Sequence, residues 1–151
     1  MLEKLIEEVY RKFKLQFFKR IFGRFQTREA SLTAVETFCV EAIHALGHPT
    51  INEFATFTQI SAPNAAYKVT SLVKKGYIRK VQSQRDKREY YLEVTDRFYE
   101  YYSISTSYLR TVTERIRGRF SDEELRQFER VLSVMSRELM PEVVLPARKA
   151  E

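Results

Sequence analysis

The sequence predicts a mainly α protein with one small β-hairpin, an α+β chain in which long terminal helices flank a lobe of shorter ones. Three observations predict it. Apolar residues recur at spacings of three and four along most of the 151 residues. The period shortens only in one window, 77–94, where β-branched and aromatic residues concentrate. Four Gly and four Pro leave little material for tight turns, so the regular elements must be long. With 44% hydrophobic residues, nine Tyr and eleven Phe, the chain has enough apolar mass for a packed core, which excludes the disordered class. One domain spanning 1–151 is expected, with 1–30 and 96–145 forming a terminal helical region and 32–95 the lobe.

The first helix runs from Met1 to about Phe22 on Leu2, Leu5, Ile6, Val9, Phe13, Phe17 and Ile21. Tyr10, Phe18, Phe22 and Phe25 widen its apolar arc beyond a single core-facing stripe, which implies burial on several sides. Thr33 and Glu36 form a capping box that opens the second helix, with Val35, Phe38, Cys39, Ala42, Ile43 and Leu46 as its core stripe and Gly47 as its end. A second box, Thr50 with Glu53, opens a short helix that presents Ile51, Phe54 and Ala55. After a turn at Thr58-Gln59, Ser61 caps a helix that tolerates Pro63 in its first turn and runs to Lys75 before Gly76.

Residues 77–82 and 90–94 read as two strands joined by the wholly polar stretch 83–89, a hairpin without an Asn-Gly turn signal. Beyond Thr95, the residues Phe98, Tyr102, Ser105, Leu109, Val112, Ile116 and Phe120 form a heptad-like seam. Ser121 and Glu124 make a third capping box, with Phe120 and Leu125 as a hydrophobic staple. The last helix uses Leu125, Phe128, Leu132, Met135 and Leu139 and ends at Pro141.

Charge is unevenly placed. The net charge is +6, and residues 61–91 alone carry an excess of that size: Lys68, Lys74, Lys75, Arg79, Lys80, Arg85, Lys87 and Arg88 against Asp86 and Glu89. Residues 31–60 hold no Lys or Arg. A local cationic excess on a near-neutral body is the electrostatic mark of a polyanion-binding surface.

The basic window has the parts of a base-reading device. A short helix, a turn and a second helix make a helix-turn-helix, whose second helix can enter the major groove of DNA. On that helix Ala62, Ala65, Ala66, Val69, Leu72 and Val73 share the inward arc, while Asn64, Tyr67, Lys68 and Ser71 cluster on the outward side. Asn pairs bidentately with adenine, Lys and Tyr reach base edges or phosphates, and the Ser61 and Ser71 hydroxyls donate or accept. Arg85, Lys87 and Arg88 at the hairpin tip, with Lys80 on the stem, repel one another unless an anion meets them. Asp86 is placed to hold the Arg88 guanidinium, and an oriented Arg on a protruding tip suits a narrow minor groove. Helix in one groove and hairpin in the next is the winged-helix arrangement.

The stretch Ser71-Leu72-Val73-Lys74-Lys75-Gly76-Tyr77-Ile78-Arg79-Lys80, followed by Asp86-Lys87-Arg88 and Val94-Thr95, resembles the signature of the MarR family. The helix order and chain length extend the resemblance over the whole sequence. It implies a homodimeric winged-helix transcription regulator of a bacterium or archaeon, with Arg88 in the minor groove supported by Asp86. It also implies a two-fold interface between the terminal helices, and effectors bound where those helices meet the lobe. Two positions depart from the pattern: Phe98 replaces the Gly that often follows the wing, and Val94 replaces Leu.

Taken together, the expectation is a homodimer that binds double-stranded DNA at a palindromic operator, with repression favoured over activation and release by a small-molecule effector as an option. The rival readings are a winged helix that binds RNA or protein without reading sequence, and a membrane-surface protein. Basic residues of the first helix are scattered among its aromatics, which gives a poor interfacial face. No apolar run has the length of a membrane span, and the N-terminus is too charged for a secretory signal. A single Cys excludes an internal disulfide framework, so the cytoplasm is the expected compartment. Cys39, on the core stripe with no basic sequence neighbour, reads as a structural thiol. His44 and His48 are four apart but separated by the helix-breaking Gly47, and no Cys completes a metal site. No catalytic triad, phosphate loop or carboxylate pair is present, so neither catalysis nor a cofactor is expected.

Overall fold

Six helices and one hairpin follow in the order α1 (Leu2–Arg24), α2 (Ala34–Leu46), α3 (Ile51–Thr58), α4 (Ala62–Lys74), β1 (Ile78–Gln82), β2 (Tyr90–Val94), α5 (Asp96–Arg119) and α6 (Asp122–Arg137). The computed structural model describes residues 1–24 and 32–144, the side chains of 22–24 and 105 excepted. Phe25, the rest of 25–30 and residue 145, all assigned above to the terminal helices, lie outside the described residues, as do the side chains of Phe22 and Ser105.

Local chemistry sets the helix ends. All three capping boxes form: Thr33, Thr50 and Ser121 each accept from the backbone N–H three residues on, and Glu36, Glu53 and Glu124 each return the contact. Ser61 caps α4 by accepting from the Asn64 N–H at 3.3 Å. Gly47 closes α2 at φ 64°, and Gly76 leads from α4 into β1 at φ 83°. A Cβ at either position would be strained by that left-handed backbone, so glycine is what lets each helix end there.

The lobe is α2, α3 and α4 packed under the hairpin. β1 and β2 pair antiparallel in the register Ile78↔Val94 to Gln82↔Tyr90. The Leu92 N–H donates to the Pro49 carbonyl at 2.8 Å, and Thr50 bridges Tyr91, so the segment before α3 covers the other edge of β2. Val40, Ile43, Phe54, Ala65, Val69, Leu72, Tyr77, Ile78, Leu92 and Phe98 are buried in one continuous core. Thr95 locks the strand ends: its N–H donates to the Tyr77 carbonyl at 3.0 Å and its hydroxyl to the Gly76 carbonyl at 2.5 Å. The Arg97 guanidinium lies 5.2 Å from the Tyr77 ring centre and donates to the Lys75 carbonyl, tying the α4 exit to the start of α5.

The inward arcs differ from expectation in several helices. In α1, Leu2, Leu5, Ile6, Val9, Tyr10 and Phe18 are exposed, so the burial on several sides that its wide apolar arc implied is absent from the single chain. In α2, Val35 and Phe38 are exposed (Phe38 at 66%) and Val40 is buried in their place. Six apolar positions span more of α2 than its neighbours can cover, and an inward Glu36 fixes which part is used. In α4, Ala62 and Val73 are exposed and Ala66 is half-buried, leaving Ala65, Val69 and Leu72 as the true core face. In α5, Tyr101 and Ile104 are buried beside Phe98, while Leu109 and Phe120 of the expected seam are exposed.

α1 packs along α5. Phe13 meets Tyr108 edge-on at 5.6 Å, Phe17 meets Tyr101 at 5.8 Å, and the Arg20 guanidinium donates to the Ser107 hydroxyl. α6 follows α5 and buries none of its residues. It ends at Arg137, before Leu139 and Pro141, with Glu138 as its C-cap.

Candidate nucleic-acid interface

The core face of α4 consists of Ala65, Val69 and Leu72, which bring its backbone close to α2 and α3. The opposite face is thereby turned outward. Asn64 and Tyr67 are exposed on it, Tyr67 at 74%, and Lys68 is half-buried. Ser61 is exposed at the α4 N-terminus, where unpaired amides and the helix dipole favour an anion.

Ser71 does not belong to that outward set. It is half-buried, and its hydroxyl donates to Glu36 Oε1 at 2.6 Å. Helical periodicity registers apolar residues alone, so it puts Ser71 on the outward arc and carries no mark of the inward carboxylate of Glu36.

Glu36 is the most connected side chain beneath α4. Its Oε2 accepts from the Lys75 ammonium at 2.6 Å and from the Thr33 N–H at 2.8 Å. Burial opposes its ionisation, but the hydrogen bonds from Lys75, Ser71 and Thr33 outweigh that and lower its pKa from 4.5 to about 2. Ionised Glu36 therefore stabilises the fold fully above pH 4.5, and the contribution disappears as pH falls through about 2. Acid titration followed by far-UV circular dichroism should show a loss of about 1–2 kcal/mol over that range. A Glu36→Gln chain should lack this component; an identical acid profile would remove Glu36 as its source.

At the hairpin tip, local hydrogen bonds replace the missing Asn-Gly turn. Ser83 is buried, and its hydroxyl oxygen accepts from the N–H groups of Arg85 and Asp86 at 3.2 and 3.3 Å. The Arg88 N–H donates to Asp86 Oδ1 at 2.9 Å. Asp86 thus holds the backbone of Arg88, where an ion pair with the guanidinium was expected, because the two-residue separation suits an Asx-turn. Gln82 adds a side-chain bond to the Lys87 carbonyl at 2.6 Å. These bonds define the backbone path of the tip, and Arg85, Lys87 and Arg88 project from it exposed.

Among the described residues, Lys68, Lys80, Arg85, Lys87 and Arg88 make no ion pair. Arg79 is different, because its guanidinium meets Glu93 at 2.7 Å across the strand pair. These five unpaired cations sit on α4, the β1 stem and the wing tip.

Elsewhere, the side chains singled out in the sequence find structural partners. Cys39 is buried, and burial raises its thiol pKa. His44 lies against Phe98 and Tyr102, with ring centres 4.8 and 4.7 Å apart, and burial lowers its pKa. His48 instead faces Glu93 at 3.3 Å. Tyr101 donates to Glu41 at 3.1 Å, and burial raises the pKa of that carboxyl. No helix among the described residues is long and apolar enough to cross a membrane.

Three helices with α4 outward, followed directly by an antiparallel hairpin packed on them, define a winged helix. Residues 32–90 match the model of the MarR family. That family is one of transcriptional regulators, not enzymes. No curated protein sequence matches the chain. Several solved structures share its fold. The transcriptional regulator Tm0710 of Thermotoga maritima superposes with a TM-score of 0.66 at 19% identity, covering 91% of this chain and 96% of its own. FabT of Streptococcus pneumoniae, solved in complex with DNA, gives 0.62 at 17% identity, with 95% and 100% covered. MepR of S. aureus, solved bound to ethidium bromide, gives 0.62 at 18% identity, with 93% and 97% covered.

Proposed function

We propose that the protein is a sequence-specific DNA-binding transcription regulator, a repressor that grips a palindromic operator as a homodimer. The observation that carries this reading is the set of unpaired cations on α4 and on the wing, two elements of one packed lobe. Helix 61–75 lies in the major groove, with Asn64, Tyr67 and Lys68 toward base edges and Ser61 toward a phosphate. The wing 83–89 follows the strand into the minor groove, led by Arg85, Lys87 and Arg88, with Asp86 shaping the tip and Lys80 on the backbone.

One winged helix reads only a few base pairs, and operator affinity calls for two. The terminal helices supply the means. α6 exposes Phe128, Val131 and Leu132, and α1 exposes Leu2, Leu5, Ile6 and Val9, apolar side chains suited to contact with a second copy of the chain. A small molecule seated between these helices and the lobe would alter the spacing of the two reading helices, and with it operator affinity. Capture of ethidium by MepR illustrates ligand binding on this fold.

Selection of bound duplexes from a random pool tests the proposal directly. A consensus with two-fold symmetry is the expected result, and an unselective pool would point to the RNA- or protein-binding alternative. Replacing Asn64 or Lys68 with Ala should lower discrimination between selected and random duplex by about 1–3 kcal/mol at fixed salt. A uniform loss on both duplexes would reassign those side chains to phosphate contacts.

A further inference from the structure

Glu36 turns a carboxylate inward, beneath a surface whose outer side chains are cationic. Capping does not require this. Glu53 and Glu124 complete the same reciprocal boxes while exposed, whereas Glu36 is 8% exposed. The difference lies in its two further partners: Ser71 donates to Oε1 and Lys75 to Oε2, each at 2.6 Å. These residues are one turn apart on α4, so one carboxylate grips that helix at two points along its axis.

The apolar packing of α4 does not fix its rotation to the same degree. Two of its contacts, Ala65 and Val69, are small, and apolar burial is non-directional, so a modest turn about the helix axis changes little buried area. Short charge-assisted hydrogen bonds are directional and do not tolerate such a turn. Glu36 is itself held by Thr33 at the first turn of α2, so the grip refers α4 to a fixed point in the lobe.

We propose that Glu36 is a positioning residue that sets the rotation of α4 through Ser71 and Lys75, and thereby which base pairs Asn64 and Tyr67 meet. The proposal rests on the DNA-reading assignment above. It also gives Ser71 and Lys75 an internal role in place of direct base contact.

The test uses the full chain, the duplex selected by the wild-type protein and a random duplex of equal length. Affinities are measured at one salt concentration for wild type, Glu36→Gln, Ser71→Ala, their combination and Lys75→Met. Glu36→Gln should lower the selected-to-random affinity ratio about tenfold. Affinity for random duplex should hold or rise, since a negative charge has gone. Ser71→Ala should add little in the Glu36→Gln background, because both changes break the same contact. Lys75→Met leaves the Thr33 box intact and should lower the ratio in the same direction; it decides the matter if Glu36→Gln does not fold. An unchanged ratio in folded variants would overturn the proposal, as would full additivity of Ser71→Ala, which would put that hydroxyl on the DNA. Loss of stability alone would move melting temperature but not the ratio. If the wild-type protein shows no preference between duplexes, the DNA assignment fails first and this proposal with it.

Discussion

A Leu132→Glu chain is expected to be monomeric and to bind a palindromic duplex no better than an isolated half-site. Leu132 is 45% exposed on α6, beside the exposed Phe128 and Val131, so the isolated chain loses little packing when it is replaced. No residue of α6 is buried or belongs to the core of the lobe that carries α4 and the wing, so the lobe should keep its structure. In a two-fold dimer the same substitution occurs twice, and each carboxylate would be taken from water into an apolar contact with no cation waiting. The cost is about 3–5 kcal/mol, enough to weaken association more than a hundredfold. Sedimentation velocity with matched circular dichroism checks it. A folded Leu132→Glu protein that remains dimeric would place the two-fold contact elsewhere and remove α6 from it.

Arg88→Ala is expected to weaken operator binding by about 1–3 kcal/mol while leaving fold and assembly unchanged. The tip survives the change because its bond to Asp86 uses the Arg88 backbone N–H, which alanine retains. Among the described residues the guanidinium has no internal ion pair to lose, so what disappears is a cation available to the minor groove. Titration of the selected duplex at several salt concentrations measures the effect, with a shallower salt dependence as its companion. Unchanged affinity and slope would take the wing out of the mechanism. Asp86→Ala should act differently, since it removes the side-chain acceptor of the Arg88 N–H.

Much of this architecture can be read directly from the residues. Capping boxes such as Thr33 with Glu36 are contacts within three residues, and such contacts form with little help from the rest of the molecule. Gly47 and Gly76 mark helix exits through a backbone conformation that only glycine adopts freely. The wing tip was visible as a polar, cationic stretch. Its fine structure was not, because an Asx-turn and an ion pair draw on the same two residues, Asp86 and Arg88, and only the backbone path chooses between them. The buried arcs of α2 and α5 depart from the apolar periodicity for a related reason. Apolar spacing picks out one repeating stripe and passes over Val40, Tyr101 and Ile104, which are buried because other elements pack against them.

The sequence by itself determined the order of elements, the capped helix starts and the concentration of charge in 61–91, all of which follow from contacts or composition local in the chain. Tertiary structure alone decided that Ser71 serves Glu36 from 35 positions away and Lys75 from 39, and so which face of α4 is left for a partner. It also decided that α6 remains uncovered. Periodicity registers hydrophobicity along one helix, whereas a buried ion pair and an unmet apolar face depend on how separate helices are placed in space.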